Sequence, residues 1–140
     1  MRFRLLLIMA ALLVSVTVAR PAFAILPFYN AFKKDYLDTL EDKKFAEEVG
    51  KASNRCFLCH QGKNRKHRNA LGLELSKHLN SKKDAKDAEK ISAAIKTVME
   101  THTDPKDDKS PTYLDRLKES KWPAGDLEAL KKEPAEDAPK

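Results

Sequence analysis

Cysteine, glycine and aromatic residues are scarce in this chain. Its 140 residues include two cysteines, four glycines and one tryptophan. Two cysteines exclude the framework of several disulfides that supports many very small exported domains. No stretch shows sustained alternation of β-branched residues, which argues against an all-β fold. Because large apolar side chains are few, a core made of protein alone would be marginal, and something else is expected to help fill it.

The first 24 residues have the features of an export signal. Arg2 and Arg4 give a basic start, the run 5–19 is apolar, and residues 22–24 read Ala-Phe-Ala, a pattern that signal peptidase accepts. Fifteen residues at ~1.5 Å rise span about 22 Å, which is less than a ~30 Å hydrocarbon core. We therefore expect a cleaved signal peptide at 1–24 and a periplasmic or secreted bacterial protein without membrane insertion. A retained membrane anchor is the alternative.

Basic and acidic residues are nearly balanced once the signal segment is set aside. Three of the 27 basic residues lie in the signal segment, so 24 remain against 21 acidic residues, a net charge of +3. A nucleic-acid partner would require a strongly basic face, which this balance does not supply. Removing 24 of 140 residues leaves 116, enough for one small domain.

Apolar residues at helical spacing predict an all-α domain of four or five short helices. The stripes lie in 28–40, 45–49, 71–79, 91–102 and 113–117. Asn69 is expected to cap one helix, Ser110 with Pro111 to start another, and Gly125-Asp126 to open a last short one. The C-terminal residues KKEPAEDAPK contain no large apolar side chain and are predicted to be disordered.

The segment NRCFLCHQGKNRK contains both cysteines, Cys56 and Cys59, and His60 follows them directly. A zinc site would require four ligands, but there is no second cysteine pair and no suitably spaced histidine pair. A thiol redox centre would require a βαβ framework, which the pattern lacks. Two inert cysteines are a further possibility. Cys-x-x-Cys-His is also the signal for c-type haem attachment, and export agrees with it because this attachment occurs outside the cytoplasmic membrane.

On these residues the chain resembles small monohaem c-type cytochromes of the class-I kind. The resemblance is specific over 55–62 and loose over about 44–120. It implies one covalent haem c, with thioethers on Cys56 and Cys59 and His60 as the proximal iron ligand. It further implies a cytochrome c-like haem domain at 44–122, preceded by an N-terminal helical extension at 25–43 and followed by a short helix and tail at 123–140.

The chain departs from that family in the residue that orients the proximal histidine. Class-I chains usually have a proline downstream of the motif whose carbonyl group performs this task. Here no proline occurs between Pro27 and Pro105. The orienting contact must therefore come from elsewhere.

Met99 is the only methionine after the signal segment and is the candidate sixth ligand of the iron. Methionine ligation raises the potential and suits electron transfer. Because Met99 lies on the apolar face of a predicted helix, it is also a candidate core residue. If Met99 is a core residue, the sixth position is either filled by His67, His78 or His102 or left open.

Four basic residues follow the motif closely: Lys63, Arg65, Lys66 and Arg68. They form either a solvated loop or a docking patch for an acidic redox partner, and they are also placed to pair with haem propionates. The expected function is that of a non-enzymatic periplasmic electron carrier. Two different functions fit the same residues: a haem-based sensor or peroxidase-like enzyme with an open iron, and an electron-entry subunit of a larger oxidoreductase.

Overall fold

The computed structural model describes residues 26–63 and 65–134, which form six α-helices and one two-stranded antiparallel ribbon. The helices are α1 (Leu26–Asp35), α2 (Lys43–Gly50), α3 (Ala70–His78), α4 (Ala88–Met99), α5 (Tyr113–Lys118) and α6 (Leu127–Lys131). The strands are β1 (His60–Gln61) and β2 (His67–Arg68), and 3-10 turns occur at Leu37–Thr39 and Arg55–Leu58. The predicted signal peptide and most of the predicted disordered tail lie outside the described residues.

The prediction of an all-α domain is confirmed in part: the described residues form a mainly helical structure that differs from the prediction in two respects. The described residues contain six α-helices instead of four or five, and they contain a ribbon that was not predicted. In the ribbon His60 pairs with Arg68 and Gln61 with His67. Strands of two residues are too short to produce a recognisable alternation. None of the described helices is long and apolar enough to cross a membrane.

Capping side chains fix most helix starts. Asn69 caps α3 as predicted, since its Oδ1 accepts a hydrogen bond from the Gly72 N–H at 3.0 Å. Asp126 likewise caps α6. The predicted start of α5 was wrong: the cap is Thr112, which exchanges hydrogen bonds with Asp115 in a capping box. Ser110 instead bonds within the preceding loop, so the helix begins two residues later than its sequence suggested.

Two apolar stripes extend beyond the helices that carry them. The stripe at 28–40 leaves α1 after Asp35 and continues into the 3-10 turn. His102, assigned to the apolar face of α4, lies beyond the helix end at Met99 and forms an isolated bridge with Thr112. The backbone there is held by the Tyr113 N–H, which donates to the Thr101 carbonyl group at 3.1 Å.

A single core cluster joins both ends of the described chain. It includes Phe32 and Leu37 near the N-terminus, Leu117 in the late part and Leu130 in α6. Helix α1 packs against α4, and α6 packs against β1 and the turn before it. The segments 26–43 and 123–134 therefore share the core of residues 44–122.

Helix α6 is tied to the region of the cysteines by a backbone hydrogen bond. The Gly62 N–H donates to the Leu130 carbonyl group at 2.9 Å, and the Leu130 side chain is buried. Gly62 has a φ of +81°, a conformation that a residue with a Cβ rarely adopts. The C-terminal helix thus closes over the end of β1.

Candidate functional site

A cavity of about 320 Å³ brings the two cysteines and His60 together. This volume lies within the ~300–1,000 Å³ typical of small-molecule and cofactor sites. Most of its wall is apolar and comes from α1, the 3-10 turn at Arg55–Leu58, α3 and α4. The apolar and aromatic lining residues are Phe28, Tyr29, Phe32, Leu58, Leu75, Leu79 and Ile95.

The 3-10 turn explains why both thiols reach the same cavity. In a 3-10 helix, side chains three residues apart lie one above the other. Cys56 and Cys59 have this spacing, and the Cys59 N–H donates to the Cys56 carbonyl group at 3.3 Å. Phe57 and Leu58, between them, are buried in the core. Both cysteines are free thiols.

The environment of Cys59 differs from that of a reactive redox cysteine. Burial, together with the nearby Cys56, raises the pKa of the Cys59 thiol to about 12. Thiol–disulfide enzymes need a thiolate and therefore have cysteines of lowered pKa. Cys59 is therefore unsuited to be the attacking thiol of a redox centre.

The His60 ring is oriented by a backbone carbonyl group. Its Nδ1 lies 3.2 Å from the His67 carbonyl oxygen. Because that oxygen can only accept, Nδ1 carries the proton and Nε2 is left as the atom able to bind a metal. Burial, opposed by this hydrogen bond, lowers the pKa of His60 and favours its neutral form. If His60 is an iron ligand, this carbonyl group of the ribbon would orient it in place of a proline carbonyl group.

Met99 lies outside the cavity wall. Its side chain is 0% exposed and belongs to the core face of α4, whereas Ile95, one turn earlier, lines the cavity. His78 and His102 are exposed, and His67 contributes its carbonyl group to His60. Among the described lining residues, His60 is the only histidine and there is no methionine. The ligand role predicted for Met99 therefore stays a prediction without a contact to support it.

The charged side chains of the described cavity wall are two arginines, Arg55 and Arg68. Arg55 stacks its guanidinium 5.5 Å from the centre of the Tyr29 ring. Of the predicted basic patch, Lys63, Arg65, Lys66 and Arg68 are all exposed, and Arg65 lies over the Phe57 ring. The patch is thus next to the cysteine turn, with Arg68 at the cavity itself.

Several site residues had no part in the sequence-based hypothesis. Phe28 and Tyr29 belong to a segment taken as an extension, and Arg55 was not assigned a role. Asn69 was expected only as a helix cap. Gly72 left a usable signal, since a glycine inside a helix costs up to ~1 kcal/mol relative to alanine and so indicates a close contact.

Comparison with known proteins gives no relative: no family model, curated protein or solved structure matches the chain. Within 26–63 and 65–134, no group of three or more His, Cys, Asp or Glu side chains is placed to hold a metal ion. A zinc site made of protein ligands alone therefore gains no support from this part of the chain.

Proposed function

We propose that this chain is an exported electron-transfer protein that carries one covalent haem c. One observation carries the proposal: Cys56, Cys59 and His60 line one largely apolar cavity. This combination agrees with thioether attachment by two thiols and iron ligation by an adjacent imidazole. The cavity would also account for the sparse apolar composition, because a porphyrin would complete the core.

The thiol, imidazole and guanidinium groups of the lining each have a role in this proposal. The Sγ atoms of Cys56 and Cys59 would form the thioethers, and Nε2 of His60 would be the proximal ligand. The His67 carbonyl group holds the His60 ring through Nδ1 at 3.2 Å. Arg55 and Arg68 would pair with the two carboxylates of the haem.

The protein contributes an apolar environment to the redox reaction. Haem supplies one-electron oxidation and reduction when it is bound. Phe28, Phe32 and Ile95 line that space with apolar surface, and the polarity and solvent exposure around an iron centre are among the factors that set its potential. Chemistry of this kind requires no catalytic side chain.

The basic residues beside the turn favour an acidic redox partner. Lys63, Arg65 and Lys66 are exposed close to the cavity. Positive charge near the redox centre would accelerate encounter with an acidic protein, and salt would weaken the effect. Export to the periplasm would bring the chain to the compartment in which haem c is attached.

A second candidate function is binding of a small ligand at an open iron. The described cavity wall contains no methionine and no second histidine. A sensor or a peroxidase-like enzyme would need such an open position. The carrier and this second candidate differ in one property, the availability of the sixth position.

Covalent attachment is tested by expressing the full chain in bacteria competent for cytochrome c maturation. After denaturation and acid–acetone extraction, haem should remain with the wild-type chain and be lost from the double variant Cys56→Ala, Cys59→Ala. Ser76→Ala is a matched control because Ser76 lines the same cavity, while its hydroxyl group only donates to the Leu73 carbonyl group at 2.7 Å within α3. A wild-type chain without covalent haem would refute the proposal. Rapid binding of carbon monoxide to the reduced wild type would favour the second function.

A further inference from the structure

The side-chain amide of Asn69 contacts the backbone of the cysteine turn at several points. Its Nδ2 lies 2.7 Å from the Phe57 carbonyl oxygen, 3.1 Å from that of Leu58 and 3.3 Å from that of His60. Its backbone N–H donates to the Cys59 carbonyl group at 3.1 Å. Asn69 is 3% exposed, so water does not compete for these contacts.

The other half of the same side chain fixes helix α3. Asn69 Oδ1 accepts from the Gly72 N–H at 3.0 Å. At Gly72 the helix meets the turn so closely that a Cβ would lie 2.0 Å from the Cys59 carbonyl oxygen. One amide thus joins the turn and the helix, and a glycine allows the two backbones to touch.

This arrangement separates the two sides of the turn. The carbonyl groups of residues 57–60 converge on Asn69, while the side chains of Cys56, Cys59 and His60 line the cavity. A 3-10 turn leaves many carbonyl groups without partners inside it, and buried unpaired carbonyl groups are unfavourable. Without the amide, the turn would gain by reorganising toward water, which would displace the thiols and the imidazole.

We infer that Asn69, assisted by Gly72, is the positioning residue of the haem-attachment turn. It acts through the backbone of the turn and touches neither the haem nor the iron. The inference rests on the proposed function for the identity of the group attached. Its geometric content, that the amide holds the turn, is independent of haem.

The test uses Asn69→Ser, which retains a capping oxygen for α3 but lacks the amide donor. We expect covalent haem per chain to fall severalfold, and the remaining holoprotein to show a changed reduction potential. The matched control is Asp87→Ala, which removes the cap of α4 without contacting the turn. That control should lose stability but keep wild-type haem content and potential.

Gly72→Ala tests the same contact from the helix side. Alanine normally stabilises a helix interior relative to glycine. Here it should lower both haem content and melting temperature, because its Cβ would meet the Cys59 carbonyl group. A stabilised Gly72→Ala protein with full haem content would overturn the inference.

A measurement on the wild type covers the case in which the variants do not fold. Hydrogen exchange of the Asn69 side-chain amide should be far slower than that of the exposed Asn80. Equal rates would overturn the inference. The two proposals fail separately: wild type without covalent haem contradicts the proposed function, whereas loaded wild type with an equally loaded Asn69→Ser variant contradicts the positioning role.

Discussion

Met99→Ala distinguishes a core methionine from an iron ligand. The side chain is 0% exposed and its neighbours Ile95 and Val98 are equally enclosed, so the surroundings have little room to collapse. Truncation of a buried methionine to alanine costs roughly 2–5 kcal/mol, and the tight packing favours the upper half of that range. For a domain of about 100 residues, a loss of ~4 kcal/mol lowers the melting temperature by ~16–32 °C.

The assay compares wild type, Met99→Ala and Met99→Leu as holoproteins, by thermal unfolding and by visible spectra in both redox states. Met99→Leu nearly conserves volume and should cost less than about 1.5 kcal/mol. We expect both variants to keep the wild-type spectrum and potential, because Met99 does not line the cavity. If both variants lose the far-red band of a methionine-ligated ferric haem and their potentials fall, Met99 is a ligand and the structural reasoning is refuted.

Three further predictions concern acid stability, partner binding and export. The hydrogen bond from Lys90 holds the pKa of Asp84 below its usual 3.8, so the stability it contributes is present above that value and lost as the pH falls further. Unfolding titrations between pH 5 and pH 2 should therefore show a steeper loss for wild type than for Asp84→Asn, and parallel curves would contradict this. Lys66→Glu should slow reduction by an acidic redox protein severalfold at low salt and less at ~0.15 M, whereas Lys109→Glu, in the exposed loop before α5, should not. Equal rates would remove the docking role. The exported chain should begin Ile-Leu-Pro-Phe on N-terminal sequencing, and recovery only in membranes with the first residue intact would indicate an anchor.

The sequence predicted those parts of the fold that depend on local patterns. Helix α4 repeats its apolar residues over three turns and begins at a capping side chain, so its position was clear. The start of α5 was misplaced because Ser110 and Pro111 form a plausible cap, while Thr112 and Asp115 form a better one. The local sequence therefore allows two helix starts, one capped by Ser110 and one capped by Thr112. In the structure the helix starts at Thr112, which also forms the isolated bridge with His102.

In the candidate site, too, the sequence predicted some of the residues and gave no sign of others. Cys56, Cys59 and His60 lie within five residues of one another, so a single motif was enough to identify them as candidates. The carbonyl group that orients His60 belongs to His67, and any residue type offers a carbonyl group. Phe28 and Tyr29 reach the cavity only because α1 folds back on α4. Contacts made by backbone atoms or by distant segments leave no pattern of side chains that could be read in advance.

The hydrogen bond from Gly62 to Leu130 also bears on the order of events during biosynthesis. In a chain that has not finished folding, the turn exists for a time without the helix that closes over β1. During that interval the turn and β1 lack the helix that packs against them in the finished fold. An enzyme that modifies the two cysteines would act most easily on this incompletely folded chain. Helix α6 would then pack against the turn and β1 after the modification. Proteins truncated before Leu127 should consequently accept modification but hold the result less rigidly.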